Sequence, residues 1–222
     1  MSFLIRQTLI YAVPLMIVAL AGVFAERSGI INLALEGIMI FGAFVGVLFV
    51  RMMQQAQIFD AAKAAGNWMA LQGFALLAMA VAAIMGALFS LLLAFAAINL
   101  KADQTIGGTA LNLLAPALVL FFIRILANQN TLQMFSGDSA SWFMLKKTML
   151  GYSKTAKLGF FAETFLNKVY LVTYVCIIIY IILSVILYKT RFGLRLRSCG
   201  ENPQAADSLG ISVVKMRYAG VT

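Results

Sequence analysis

Of 222 residues, 63% are hydrophobic and only 11% charged, which leaves too little polar surface to cover a water-soluble fold and specifies an integral membrane protein. The net charge of +9 resides in segments that flank apolar runs, the distribution of a chain facing anionic headgroups, and this sets nucleic acid aside as a partner. With no histidine in the chain, His-based general base catalysis, Ser-His-Asp chemistry and His-ligated metals are excluded.

The first apolar run, 8–25, is about 18 residues long, just enough to cross the hydrocarbon core. Pro14 in its interior predicts a kink. One early basic residue, Arg6, and no small-residue cleavage site make it a retained span and not a signal peptide. After the polar break Glu26, Arg27, Ser28, Gly29 comes a second span, 32–50, with Glu36 near its start and Gly42 and Gly46 spaced for close backbone approach in lipid. Residues 51–68 form a polar connection. The next run, 69–98, is long enough for one tilted helix or a helix with an interfacial extension, and Ala78, Ala82, Gly86, Ser90 and Ala94 recur along it every fourth residue, a pattern read as a buried packing face ahead of a pore lining.

A turn at 99–104 leads to the fourth span, 105–127. It opens on Gly107 and Gly108, which permit irregular backbone at the boundary. Thr109, Asn112 and Pro116 share one of its faces, and a polar residue beside a helix breaker predicts a surface turned toward a wet cavity. Arg124 near its end is placed to snorkel to the interface. Residues 128–168 form a lysine-rich connection, and 169–188 is the fifth span. The fold class is all-α, a polytopic helical membrane protein with about five spans. Cys176 lies in the last apolar run and Cys199 in the polar segment beyond it, so neither a disulfide nor a metal site is supported.

That polar segment, 190–218, reads as a docking element. Asn202 is a favourable N-cap, Pro203 suits the first helical position, and Gly210 can take the left-handed conformation that ends a helix. The helix between them has about two turns, too short to hold alone in water. Ala205, Ala206 and Leu209 form a narrow apolar strip on it. Charge does not decide orientation: residues 189–222 carry six Lys or Arg against two acids, and residues 128–168 five against two. With 190–218 in the cytoplasm, the N-terminus and both Trp68 and Trp142 fall on the outer side, whereas Arg6 argues the other way.

Glu36 is either an intramembrane carboxylate facing a cavity or partner, or a group one turn from the interface that satisfies Arg27 or a helix start. Asn112 is either a hydrogen-bonding group for a polar solute or a link to another helix. No nucleophile–base pair, metal cluster or phosphate loop occurs. In particular there is no GxxxxGK[ST], so ATP used with this chain is bound by another one.

Residues 20–46, LAGVFAERSGIINLALEGIMIFGAFVG, and 190–221, TRFGLRLRSCGENPQAADSLGISVVKMRYAGV, resemble the permease subunits of bacterial ABC importers of the branched-chain amino acid and ribose type. With 102–115, ADQTIGGTALNLLA, the likeness is closest to the nucleoside and simple-sugar branch, and it covers 9–221 except 51–68 and 128–168. The resemblance implies one membrane permease domain over 1–222, with 51–68 and 128–168 extracytoplasmic and an interrupted second span. It implies that 190–218 is a cytoplasmic coupling loop meeting an ATPase through Gly200, Glu201, Asn202, Pro203, Ala205, Ala206, Leu209 and Gly210. Asn32, Glu36 and Asn112 are the residues expected to line the path of nucleosides or simple sugars moved by alternating access. ATP and Mg belong to the ATPase, so this chain is expected to hold no cofactor and to be no enzyme itself. A second permease subunit and an extracytoplasmic substrate-binding lipoprotein complete the implied assembly in a bacterial plasma membrane. Permeases of this kind continue with further spans, so the chain is expected to be C-terminally truncated. Two other classes remain: an ion-coupled secondary transporter with Glu36 as proton carrier, and a non-transporting membrane scaffold.

Overall fold

A computed structural model describes residues 2–128, 130–132, 144–145, 159, 165 and 169–222. Among the described residues, five helices are long and apolar enough to cross a membrane: α1 (Ser2–Arg27), α2 (Leu35–Gln55), α4 (Trp68–Ile98), α5 (Gln104–Ala127) and α6 (Leu171–Lys189). A short helix, α3 (Ile58–Ala64), joins α2 to α4. Three more follow the last span: α7 (Arg191–Glu201), α8 (Pro203–Ser208) and α9 (Val213–Val221).

The two small-residue stripes meet. A Cβ on Gly42 would sit 3.1 Å from Ala82 O and one on Gly46 3.1 Å from Ala82 Cβ, while Ala78, Gly86, Ser90 and Ala94 are buried. In lipid no water is expelled when helices meet, so close backbone approach and the dispersion contacts it allows hold α2 to α4. Phe41 stacks on Phe89 at 4.6 Å between centroids beside this seam. Ser90 spends its hydroxyl on Ala87 O, 2.7 Å away in its own helix, and so lies on the packing face at no polar cost.

Several boundaries differ from the sequence reading, each for a local reason. The first span extends back to Ser2 and runs through Pro14 as one helix. The second begins at Leu35 and is itself continuous; the irregular backbone lies ahead of it, at 28–34. Gly107 and Gly108 stand inside the regular helix α5, because Asp103 caps it by accepting from Thr105 N at 2.8 Å and Ile106 N at 3.1 Å. The 51–68 connection contains α3, whose Phe59 packs edge-on to Phe74 at 4.9 Å. Val169–Tyr170 pairs antiparallel with Met144–Leu145, so the fifth span starts at Leu171. Most of the 128–168 connection, with Trp142, lies outside the described residues.

The largest difference is in 190–218, where three helices replace one short helix in a loop. Gly193, Leu196 and Cys199 recur at helical spacing on one face of α7 and are buried, among charged neighbours that obscure the pattern in a linear reading. These helices close one end of the bundle around a core of Ala25, Ile30, Ala34, Phe89, Leu93, Ala94, Leu111, Ala115 and Val221. Faces of α5 turned away from it present Leu113 at 78% and Ile106 at 70% exposure, apolar surface that only lipid or further helices can solvate.

Candidate functional site

The unusual feature inside the bundle is the non-helical segment 28–34. Ser28, Ile30, Asn32 and Ala34 are all buried, with Ser28 and Ala34 at 0% exposure, and buried non-helical backbone in a membrane protein needs partners for its amides. Ser28 N, Gly29 N and Ile30 N bond back to the last turn of α1. Ile31 N donates to Gln104 Oε1 at 2.8 Å. Asn32 turns its own Oδ1 onto Ala34 N at 3.0 Å. Ala34, at the N-cap of α2, offers no side-chain hydrogen bond. Asn112 supplies the cap from another helix: its Oδ1 accepts from Gly37 N at 2.7 Å and its Nδ2 donates to Leu33 O at 2.6 Å.

Glycine makes this reach feasible. A Cβ on Gly108 would come 2.8 Å from Leu33 Cβ, and one on Gly37 would come 2.9 Å from Leu111 O. On the other side of the break, α7 lies equally close. A Cβ on Gly200 would overlap Arg27 O and lie 3.0 Å from Gly29 N, and one on Gly220 of α9 would sit 2.5 Å from Ser28 Cβ. Tyr218 on α9 donates its hydroxyl to Asn99 Oδ1 at 2.7 Å, which ties α9 to the end of α4. The break is thus gripped by α5 on one side and by α7 and α9 on the other. Cys199 is fully buried at this junction; burial pushes its thiol pKa up, opposed by the Arg217 charge and a Ser198 hydrogen bond. The thiol therefore stays neutral and packs as a small apolar group.

Two further features complete the arrangement. In α8, Asn202 Oδ1 accepts from Ala205 N at 3.0 Å, Pro203 occupies the first position, and Gly210 ends the turn at φ +78°. A cavity of about 510 Å³ lies away from the break, lined among others by Ile10, Pro14, Val47, Ala82, Tyr170 and Thr173.

The family described as branched-chain amino acid transport system / permease component matches residues 4–222. The chain belongs to this family. It is 42% identical over 221 residues to the guanosine ABC transporter permease protein of Bacillus subtilis, covering 100% of this chain and 63% of that protein. It is 38% identical over 224 residues to the nucleoside ABC transporter permease protein of Lactococcus lactis, with coverage of 100% and 63%. A putative glucose ABC transporter permease protein of Haloferax volcanii is 28% identical over 225 residues, with 59% of it covered. The chain thus spans less than two thirds of the length of these curated relatives. No solved structure matches it.

Within this permease-family chain, the expected site residues divide into groups. Asn32 and Asn112 come together on the backbone of 33–37, where Asn32 Oδ1 and both polar atoms of the Asn112 amide are engaged. Glu36 is exposed in the first turn of α2, where the positive end of the helix favours a carboxylate. None of the three borders the apolar cavity. Thr109, on the Asn112 face, spends its hydroxyl on Thr105 O and Ile106 O of its own helix. Of the strip on α8, Ala206 turns inward at 2% exposure, leaving Ala205 and Leu209, at 80%, on the outside. Gln104, Ser28 and Gly220 were not singled out from the sequence. Gln104 could have been noticed as a polar group one position inside a capped span, whereas nothing local marks Gly220 as a contact for Ser28.

Proposed function

We propose that this chain is a permease subunit of an ATP-driven importer of nucleosides, in which an ATPase docks on α8 from the cytoplasm. The observation that carries the proposal is the full-chain likeness, 42% and 38%, to two proteins named as guanosine and nucleoside ABC transporter permeases. The packing is consistent with how such a machine would transmit force. Only Asn202 separates α8 from α7, and α7 rests through Gly200 on the end of α1 where the 28–34 break begins. A push on α8 thereby reaches the irregular backbone of 28–34, and on this reading a shift of that segment accompanies the alternation of access. On this reading a second permease subunit, an extracytoplasmic binding lipoprotein and a bacterial plasma membrane complete the system, and ATP with Mg sits on the ATPase.

The test is uptake together with co-purification. Cells carrying the full system should accumulate labelled guanosine in a manner that survives a protonophore and fails when ATP is depleted. Leu209→Arg, at an exposed site, should remove the ATPase from the purified complex and stop uptake. Uptake abolished by the protonophore while ATP stays high would instead assign the chain to ion-coupled transport.

A further inference from the structure

Lys189, Arg191, Arg195 and Arg197 fall within nine residues where α6 leaves its apolar run, and no acid follows before Glu201. The corner there is tight. Thr190 Oγ1 donates to Ile186 O at 2.6 Å and accepts from Gly193 N at 3.3 Å, and a Cβ on Gly193 would overlap Leu187 O. The first turn of α7 is therefore seated on the last turn of α6, at the depth where the span ends. Gly193, Leu196 and Cys199 face inward. The opposite face presents Arg191, Leu194 at 62% exposure and Arg195, with Phe192 at 38% on its flank and Tyr188 at 50% just before it. Arg197 is held at the corner, its guanidinium 5.7 Å from the Tyr188 ring centre.

Arginines interleaved with exposed Leu and Phe suit neither bulk water nor hydrocarbon; they suit the headgroup layer, where cations reach phosphates and apolar side chains reach acyl tails. Arg191 and Arg195 stand one turn apart, a like-charge pair that destabilises a helix unless an anion lies between them. The stretch beyond differs: between Ser198 and Val214 the chain has no Lys or Arg and carries Glu201, the last residue of α7, and Asp207 in α8. Charge thus separates the cationic, partly apolar start of α7 from an acidic, polar stretch that runs from the end of α7 through α8. We propose that the α6–α7 corner binds an anionic phospholipid, its phosphate held by Arg191 and Arg195 and its chains lying along Phe192, Leu194 and the exposed end of α6. The proposal needs only the membrane span before it and is independent of the solute carried.

The test uses the full complex in phosphatidylcholine nanodiscs with or without phosphatidylglycerol, with retained lipid counted by native mass spectrometry. The unsubstituted complex should retain phosphatidylglycerol in preference to phosphatidylcholine. Arg191→Gln with Arg195→Gln should lower phosphatidylglycerol affinity about thirtyfold, from the contribution of two cations near an anionic surface. Arg191→Lys with Arg195→Lys should keep most of it, and Lys215→Gln, on α9, should change nothing. Equal phosphatidylglycerol retention by the Gln pair and the unsubstituted complex overturns the proposal. So does loss of the ATPase from the Gln pair with lipid retention unchanged, which would make this face a protein interface.

Discussion

Asn112→Ala tests whether the 28–34 break is held from α5. The substitution removes the acceptor of Gly37 N and the donor to Leu33 O at once. The first is the cap of α2, and loss of a cap costs about 1 kcal/mol. The second leaves a carbonyl unsatisfied, at a further cost of about 1 kcal/mol in water-soluble proteins, while interhelical polar bonds measured in a membrane protein average about 0.6 kcal/mol. The expected loss is therefore about 1–2 kcal/mol, or about 2–8 °C in melting temperature for a chain of this size. The assay is thermal unfolding of the purified complex in detergent beside Thr109→Ala, whose hydroxyl bonds only within α5, so its shift should stay near zero. An Asn112→Ala melting temperature equal to that of Thr109→Ala would refute the hold of α5 on the break. If uptake then showed a raised KM at that unchanged stability, Asn112 would be a solute ligand instead.

Gly200→Ala and Gly210→Ala should separate two uses of glycine. At Gly200 the new methyl meets Arg27 O and the backbone of Gly29, so stability should fall by about 2 kcal/mol from overpacking. At Gly210 nothing lies within 4 Å and only the φ of +78° resists a side chain, which costs about 1 kcal/mol; the reverse order of melting temperatures would contradict the close approach of α7 to α1. Cys199, in a Cys176→Ser background, should react slowly with a maleimide while the fold persists and rapidly once it is unfolded. Because burial raises its pKa, its contribution to stability is complete below the pKa of the unfolded thiol and declines as pH rises through the folded value, so stability should drop on the alkaline side. Fast labelling of the folded complex at neutral pH would show that the α7–α1 junction opens.

How much of this was legible depends on the range of each interaction. The spans, the small-residue faces of α2 and α4 and the cap of α8 are written in local terms: apolar length, small residues every fourth position, and Asn-Pro before a glycine. Gly42 and Gly46 and the stripe from Ala78 to Ala94 each obey the same packing rule, but nothing in either one names its partner, and the structure sets Gly42 and Gly46 against Ala82. The site is different, since its links join positions far apart in the chain. Asn112 bonds a carbonyl 79 residues away, Gln104 an amide 73 residues away, and Tyr218 a side chain 119 residues away. For Asn112 the sequence admits two readings, solute ligand or interhelical bond, and only the position of Leu33 and Gly37 shows which backbone atoms engage its amide. Ala206 shows the same limit from the other direction. Its place on an apolar strip is a property of the local sequence alone, but which residues of that strip face outward depends on how the rest of the chain packs around it, which buries Ala206 and leaves Leu209 bare. For the same reason the informative interface variant is at Leu209, since a large side chain at Ala206 would break this chain's own packing before it touched a partner.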